Sequence, residues 1–175
     1  MTCGSQTMPM LDAYIPEGAL PREAEQKLLA DLTDLLLRHE GADPTSPQAR
    51  SLAWVFLHRP ECVFVAGARA EVPCYKFIAS VPEGLYTPER RQAMVEAVTT
   101  AVLDAEQGRN PCDPMRIWVF ANEIPERTWG GGGRIVGLAD IAGFVRGERE
   151  GAIYARAVLA QRRREMVEKL GLHES

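Results

Sequence analysis

The sequence predicts an α+β protein. Two fused β-α-β units contribute a four-stranded sheet with two helices on one face, each unit ends in a small hairpin, and a C-terminal helix follows. Three observations carry this. A proline-led apolar run occurs twice, with Pro9 opening "PMLDAYI" and Pro73 opening "PCYKFIA". Each run meets a Pro-Glu-Gly turn, Pro16 to Gly18 and Pro82 to Gly84. The segment after each turn then shows one apolar stripe, Leu28, Leu29, Leu32, Leu35 and Leu36, repeated at a constant offset as Met94, Val95, Val98, Ala101 and Val102. That spacing marks the buried face of an amphipathic helix.

The elements follow in order. The first strand and its turn lead to a helix with Pro21 in its first turn, where a missing N–H costs little. A Gly/Asp/Pro-rich connection reaches a second strand in "SLAWVFLHRPE" and a hairpin in "CVFVAGA". The second unit repeats this with Pro88, "RIWVFANEIPE" and "RTWGGGGRI", so Trp54-Val55-Phe56 matches Trp118-Val119-Phe120. Parallel strands joined through a helix take a right-handed crossover, and two such units set side by side put both helices on one sheet face. The other face carries side chains such as Trp54 or Phe56 and needs cover, which predicts an oligomer. The expected boundaries are 1–7 for a leader or mis-assigned start, 8–71 and 72–145 for the two units, and 146–175 for a helical tail. The tail has a sparse stripe at Ala152, Ala155, Leu159, Met166 and Leu170. With seven Lys/Arg against five Asp/Glu it is mildly basic, which fits either a solvated helix or an arm for an acidic partner.

Composition narrows the function classes. The 175 residues suffice for one domain with a core, and the net charge of −4 gives no support to nucleic-acid binding. No stretch approaches the roughly 20 apolar residues that span a bilayer, and the first ten residues lack a signal peptide's basic and apolar regions. Cys3, Cys62, Cys74 and Cys112 show no C-x-x-C spacing, so neither zinc nor a disulfide framework is expected. The expectation is a cytoplasmic protein without metal or cofactor. The "GGGGR" run is not a phosphate loop: no Lys-Ser/Thr follows, and it sits in a hairpin.

Met8-Pro9, the two Pro-Glu-Gly turns and "IWVFANEIPERTWGGGGRI" together resemble the tautomerase superfamily, the 4-oxalocrotonate tautomerase family in particular, over roughly residues 8–145. The resemblance implies a β-α-β unit that starts at an amino-terminal proline, with two units fused in longer members and a trimeric assembly. It implies keto–enol or double-bond isomerisation of a small carbonyl or carboxylate substrate, with Pro9 as general base and no cofactor. A free secondary amine does this when burial lowers its pKa toward neutrality. Within a longer chain Pro9 is an amide, so this reading expects Met8 to be the true start and to be removed. Pro73 repeats the position but can only be structural.

The family's arginine after the Glu-Gly turn is replaced by Ala19 and Leu85, and its arginine at the start of the second strand by Trp54 and Trp118. Leu36 stands where the dehalogenase branch has a histidine. Oxalocrotonate and chloroacrylate therefore do not carry over as substrates. The substitutes for binding a carboxylate and an enolate are Arg59, His58 and Arg116, with Arg127 and Arg134 flanking the glycine hairpin. Trp129 corresponds to the family's hairpin aromatic, and Phe120 and Asn122 share a strand face. Tyr75 and Glu123 fit buried, structural hydrogen bonds equally well. The alternative is a trimer that keeps the fold, has lost the clamp arginines, and binds a ligand or serves assembly.

Overall fold

Strand β1 (Met10–Tyr14) lies at the centre of the sheet in a computed structural model that describes residues 9–171. The leader at 1–7 and Met8 lie outside the described residues. The proline-led run forms β1 because its residues alternate, burying Leu11 and Ala13 and turning Met10, Asp12 and Tyr14 to the other face. Helix α1 (Arg22–His39) starts after Pro21, with Glu23 and Glu25 in its first turn and Arg38 and His39 in its last, as the helix dipole favours. Its stripe buries Leu28, Leu32, Leu36 and Leu37, with Leu29 and Leu35 half-buried. A short helix α2 (Pro47–Leu52), capped by Ser46, lies in the connection where only a loop was expected. Strand β2 (Trp54–His58) and the hairpin β3–β4 (Phe64–Val65, Ala68–Arg69) complete the first unit.

The second unit repeats the plan with β5 (Tyr75–Pro82), α3 (Pro88–Glu106), β6 (Ile117–Ile124) and the hairpin β7–β8 (Trp129–Gly131, Arg134–Val136). Thr87 Oγ1 accepts from the Arg90 amide, and Pro88 opens α3. The expected stripe buries Met94, Val98 and Val102. The sheet order is β2-β1-β5-β6. Each unit's own strands pair in parallel, and the units join through the antiparallel β1–β5 pairing, Met10 opposite Ser80 and Tyr14 opposite Lys76.

Both helices pack on one face, where Phe77, Leu11, Leu32 and Met94 form the core. The other face is bare: Trp54 is 62% exposed, Phe56 43%, Trp118 61% and Phe120 42%. So large an apolar patch marks an interaction surface. The second unit ends in a helix that the sequence reading did not include, α4 (Leu138–Arg146), and the tail forms one helix, α5 (Glu148–Lys169), the two separated at Gly147 with φ 90°. They cross so closely that a methyl group at Gly151 would overlap the Gly143 backbone. Helix α5 also covers the second Pro-Glu-Gly turn: a Cβ on Gly84, itself at φ +88°, would lie 2.7 Å from Val158 Cγ1, whereas Gly18 in the first turn meets nothing. The tail stripe packs at Ala155 and partly at Ala152 and Leu159, while Met166 and Leu170 are exposed. No helix among the described residues is long and apolar enough to cross a membrane.

Candidate functional site

The topology decides which candidate residues can meet. Because β1 runs parallel to β2 and antiparallel to β5, the start of β1 lies at the sheet end where β2 begins and where β5 and β6 finish. Pro9 is buried there, its carbonyl accepting from the Trp54 amide at 3.1 Å. Asn122 lies in the row Trp54, Met10, Ser80, Asn122 that crosses the bare face at this end. Phe120 sits one row farther along, with Phe56, Asp12 and Ile78. Trp129 starts β7 just beyond, is half-buried, and lines a small crevice together with Pro82 and Ile124.

The cationic candidates are elsewhere. His58, Arg59 and Arg116 sit at the opposite end of the sheet, five or more strand residues, at least about 16 Å, from Pro9. Within one chain the structure does not bring them to the proline. Arg59 forks onto both Glu25 carboxylate oxygens on α1, a hydrogen-bonded pairing that holds the guanidinium above its ordinary pKa. Arg116 is buried. Its Nη2 reaches Glu106 Oε2 at 2.7 Å and its Nη1 reaches Oε1 at 2.9 Å, while the carbonyls of Pro73 and Pro111 take two further donors at 2.7 Å. Tyr75 donates its hydroxyl to the same carboxylate at 2.9 Å, and burial followed by that bond raises the phenol pKa. Burial alone would raise Glu106, but Arg116, Tyr75 and Asn110 outweigh it, and the net shift is downward. Glu123 accepts from the Gly84 and Tyr86 amides and pairs with Arg91 and Arg162, tying the second turn to α3 and α5. Arg127 and Arg134 flank the hairpin and are exposed.

The far end also holds residues that sequence reasoning passed over. His58 Nε2 is 2.6 Å from Asp12 Oδ1. The His58 ring stacks on Tyr14, with centroids 4.2 Å apart and planes 10° from parallel. Lys76 Nζ lies over the same Tyr14 ring, 3.8 Å from its centroid. The signal was in "YKFIAS": alternation places Lys76 on the bare face between buried Tyr75 and Phe77. A groove of about 690 Å³ opens beside them, bounded by hairpin β3–β4, the start of β5 and Trp118. Among the described residues no three His, Cys, Asp or Glu side chains gather as a metal site.

No family model and no curated protein matches the sequence. Solved structures do match. A member of the cis-3-chloroacrylic acid dehalogenase family is 23% identical, with 73% of this chain and 82% of that chain covered at a TM-score of 0.57. Pt0534, solved after inactivation by 2-oxo-3-pentynoate, is also 23% identical, with coverages of 72% and 94% and a TM-score of 0.58. A fused 4-OT forming an asymmetric trimer is 19% identical over the same shares, again at 0.58. Together with the strand order, these likenesses show that the chain has the tautomerase fold, with two β-α-β units fused in one polypeptide.

Proposed function

We propose that the protein is a cofactor-independent tautomerase or isomerase acting on a small keto acid or related carbonyl compound, with Pro9 as general base. The carrying observation is that Pro9 is buried immediately before β1 in a fused tautomerase fold. Removal of residues 1–8 would free its nitrogen as a secondary amine. Burial among apolar neighbours then favours the neutral form. The amine takes a proton α to the substrate carbonyl, electron density moves onto the carbonyl oxygen, and the proton returns at oxygen or at the far carbon of a conjugated system. Asn122, Phe120 and Trp129 lie toward the same end and provide an amide for the developing enolate and walls for the cavity.

In this reading the protein is a homotrimer. The bare aromatic sheet face needs cover, and the similar fused 4-OT is a trimer. A neighbouring subunit would then supply the cation that one chain does not bring to Pro9. Arg59, half-exposed at the opposite sheet end, suits that role better than His58 or the buried Arg116, whose terminal nitrogens are held by Glu106 and two carbonyls.

The test is phenylpyruvate enolisation by protein whose intact mass shows that it begins at Pro9. Pro9→Ala should lower the rate about 10²-fold or more. The processed protein should also become covalently labelled at Pro9 by 2-oxo-3-pentynoate, the compound that inactivates Pt0534. Turnover unaffected by Pro9→Ala would sink the mechanism. It would leave the second reading, a tautomerase-fold trimer with a binding role, which the two arginines committed to Glu25 and Glu106 favour.

A further inference from the structure

We propose that the groove at the far end of the sheet is a second small-molecule site, which binds a planar aromatic monocarboxylate without turning it over. The internal repeat motivates it. Pro9 lies where the start of one unit's first strand meets the end of the other unit's second strand and its hairpin. The duplicate of that arrangement is the start of β5 with the end of β2 and the hairpin β3–β4, and there the groove opens. Its proline, Pro73, is an internal amide with no basic nitrogen, so proline chemistry does not operate in this copy.

The lining defines the ligand. Phe64 and Trp118 present aromatic surface, Tyr14 adds its ring edge, since His58 and Lys76 take its two faces, and Cys74 and Met115 complete the lining. A volume of about 690 Å³ is in the usual range for small-molecule sites. Two cations border the groove. Arg116 has four oxygen acceptors already and cannot turn to a ligand without breaking its pair with Glu106. Lys76 has no carboxylate within 4.0 Å among the described residues, and its ammonium rests on the Tyr14 ring. It is the charge available to a carboxylate, in a setting where apolar walls weaken the competition from water. Asp113 also lines the groove, with Oδ1 accepting from the Met115 amide at 2.9 Å. Its negative charge disfavours a second carboxylate on the ligand. The combination selects a flat ring bearing one anionic group.

Tyr14, Lys76 and Trp118 belong to the sheet face that the trimer reading covers, so in that reading the groove opens at the margin of a subunit contact; the site does not depend on Pro9 chemistry, and the two ideas fail separately. Calorimetric titration of the full chain with 2-naphthoate should show saturable binding. The neutral 2-naphthalenemethanol and the dianion 2,6-naphthalenedicarboxylate should each bind at least five-fold more weakly. Lys76→Met should weaken 2-naphthoate at least ten-fold while phenylpyruvate turnover, if present, stays unchanged. Lys76→Arg, which keeps the charge, should retain affinity within about three-fold and shows that the loss in the methionine variant is not misfolding. Absence of binding at millimolar 2-naphthoate, or binding indifferent to Lys76→Met, would overturn the proposal.

Discussion

Arg116 and Glu106 meet as a two-pronged pair inside the fold, 2.7 and 2.9 Å across, joining the end of α3 to the start of β6. Both side chains are almost wholly buried. Removing one partner leaves an uncompensated charge, which costs about 3–5 kcal/mol, whereas replacing both with apolar residues of similar size is often tolerated. Arg116→Met should therefore lower unfolding stability in urea by that amount. The double variant Arg116→Met with Glu106→Leu should recover most of it, although Tyr75 loses its acceptor and limits the recovery.

The same carboxylate sets a pH dependence. The folded pKa of Glu106 lies below its ordinary 4.5. A depressed carboxylate contributes stability that is complete above the unfolded value and is lost as pH falls through the folded one. Stability measured from pH 7 downward should hold to about pH 5 and then decline. Glu106→Gln should flatten part of that decline while lowering the plateau.

Gly84→Ala should destabilise by about 1–3 kcal/mol, because a positive φ and the overlap with Val158 add. Gly18→Ala carries only the backbone strain of φ +75° and should cost about 1 kcal/mol. Thermal unfolding of the two variants side by side checks the ranking.

The exposed aromatic face tests the assembly. Phe56→Glu with Phe120→Glu should shift the protein to a smaller species in sedimentation while its helical circular dichroism is kept. An unchanged mass would show that this face is not the subunit contact.

Arg59→Ala should change stability by less than about 1 kcal/mol, since its pair with Glu25 is partly solvated. If the arginine clamps substrate across a subunit boundary, the variant's KM for phenylpyruvate should rise several-fold with its fold intact.

The backbone plan was legible because its signals are periodic. The apolar stripe, the Pro-Glu-Gly turn and the Trp-Val-Phe strand each appear twice, and β1 and the first half of β5 alternate cleanly. The candidate site was less legible because partners are chosen in three dimensions. Arg116 read as a ligand for substrate, yet a cue to its real partner existed. Counting in fours from Met94 passes through Val98 and Val102 to Glu106, a carboxylate on the buried face that requires a cation. Glu40 continues Leu28, Leu32 and Leu36 in the same way and is also buried. Helix α4 was harder to see, because Gly143 and Gly151 serve a helix crossing that no local pattern announces.

The antiparallel seam between β1 and β5 has a kinetic meaning. Every other sheet pairing is made within one unit, but Met10 finds Ser80 only after the whole first unit has been passed. Such a closure adds loop entropy to the barrier, so the halves can organise before they dock. A chain cut between Glu71 and Val72 would yield two pieces, each with a raw inner strand as its edge. Fragment complementation, with each piece aggregation-prone alone and ordered in the pair, is the behaviour that this seam dictates.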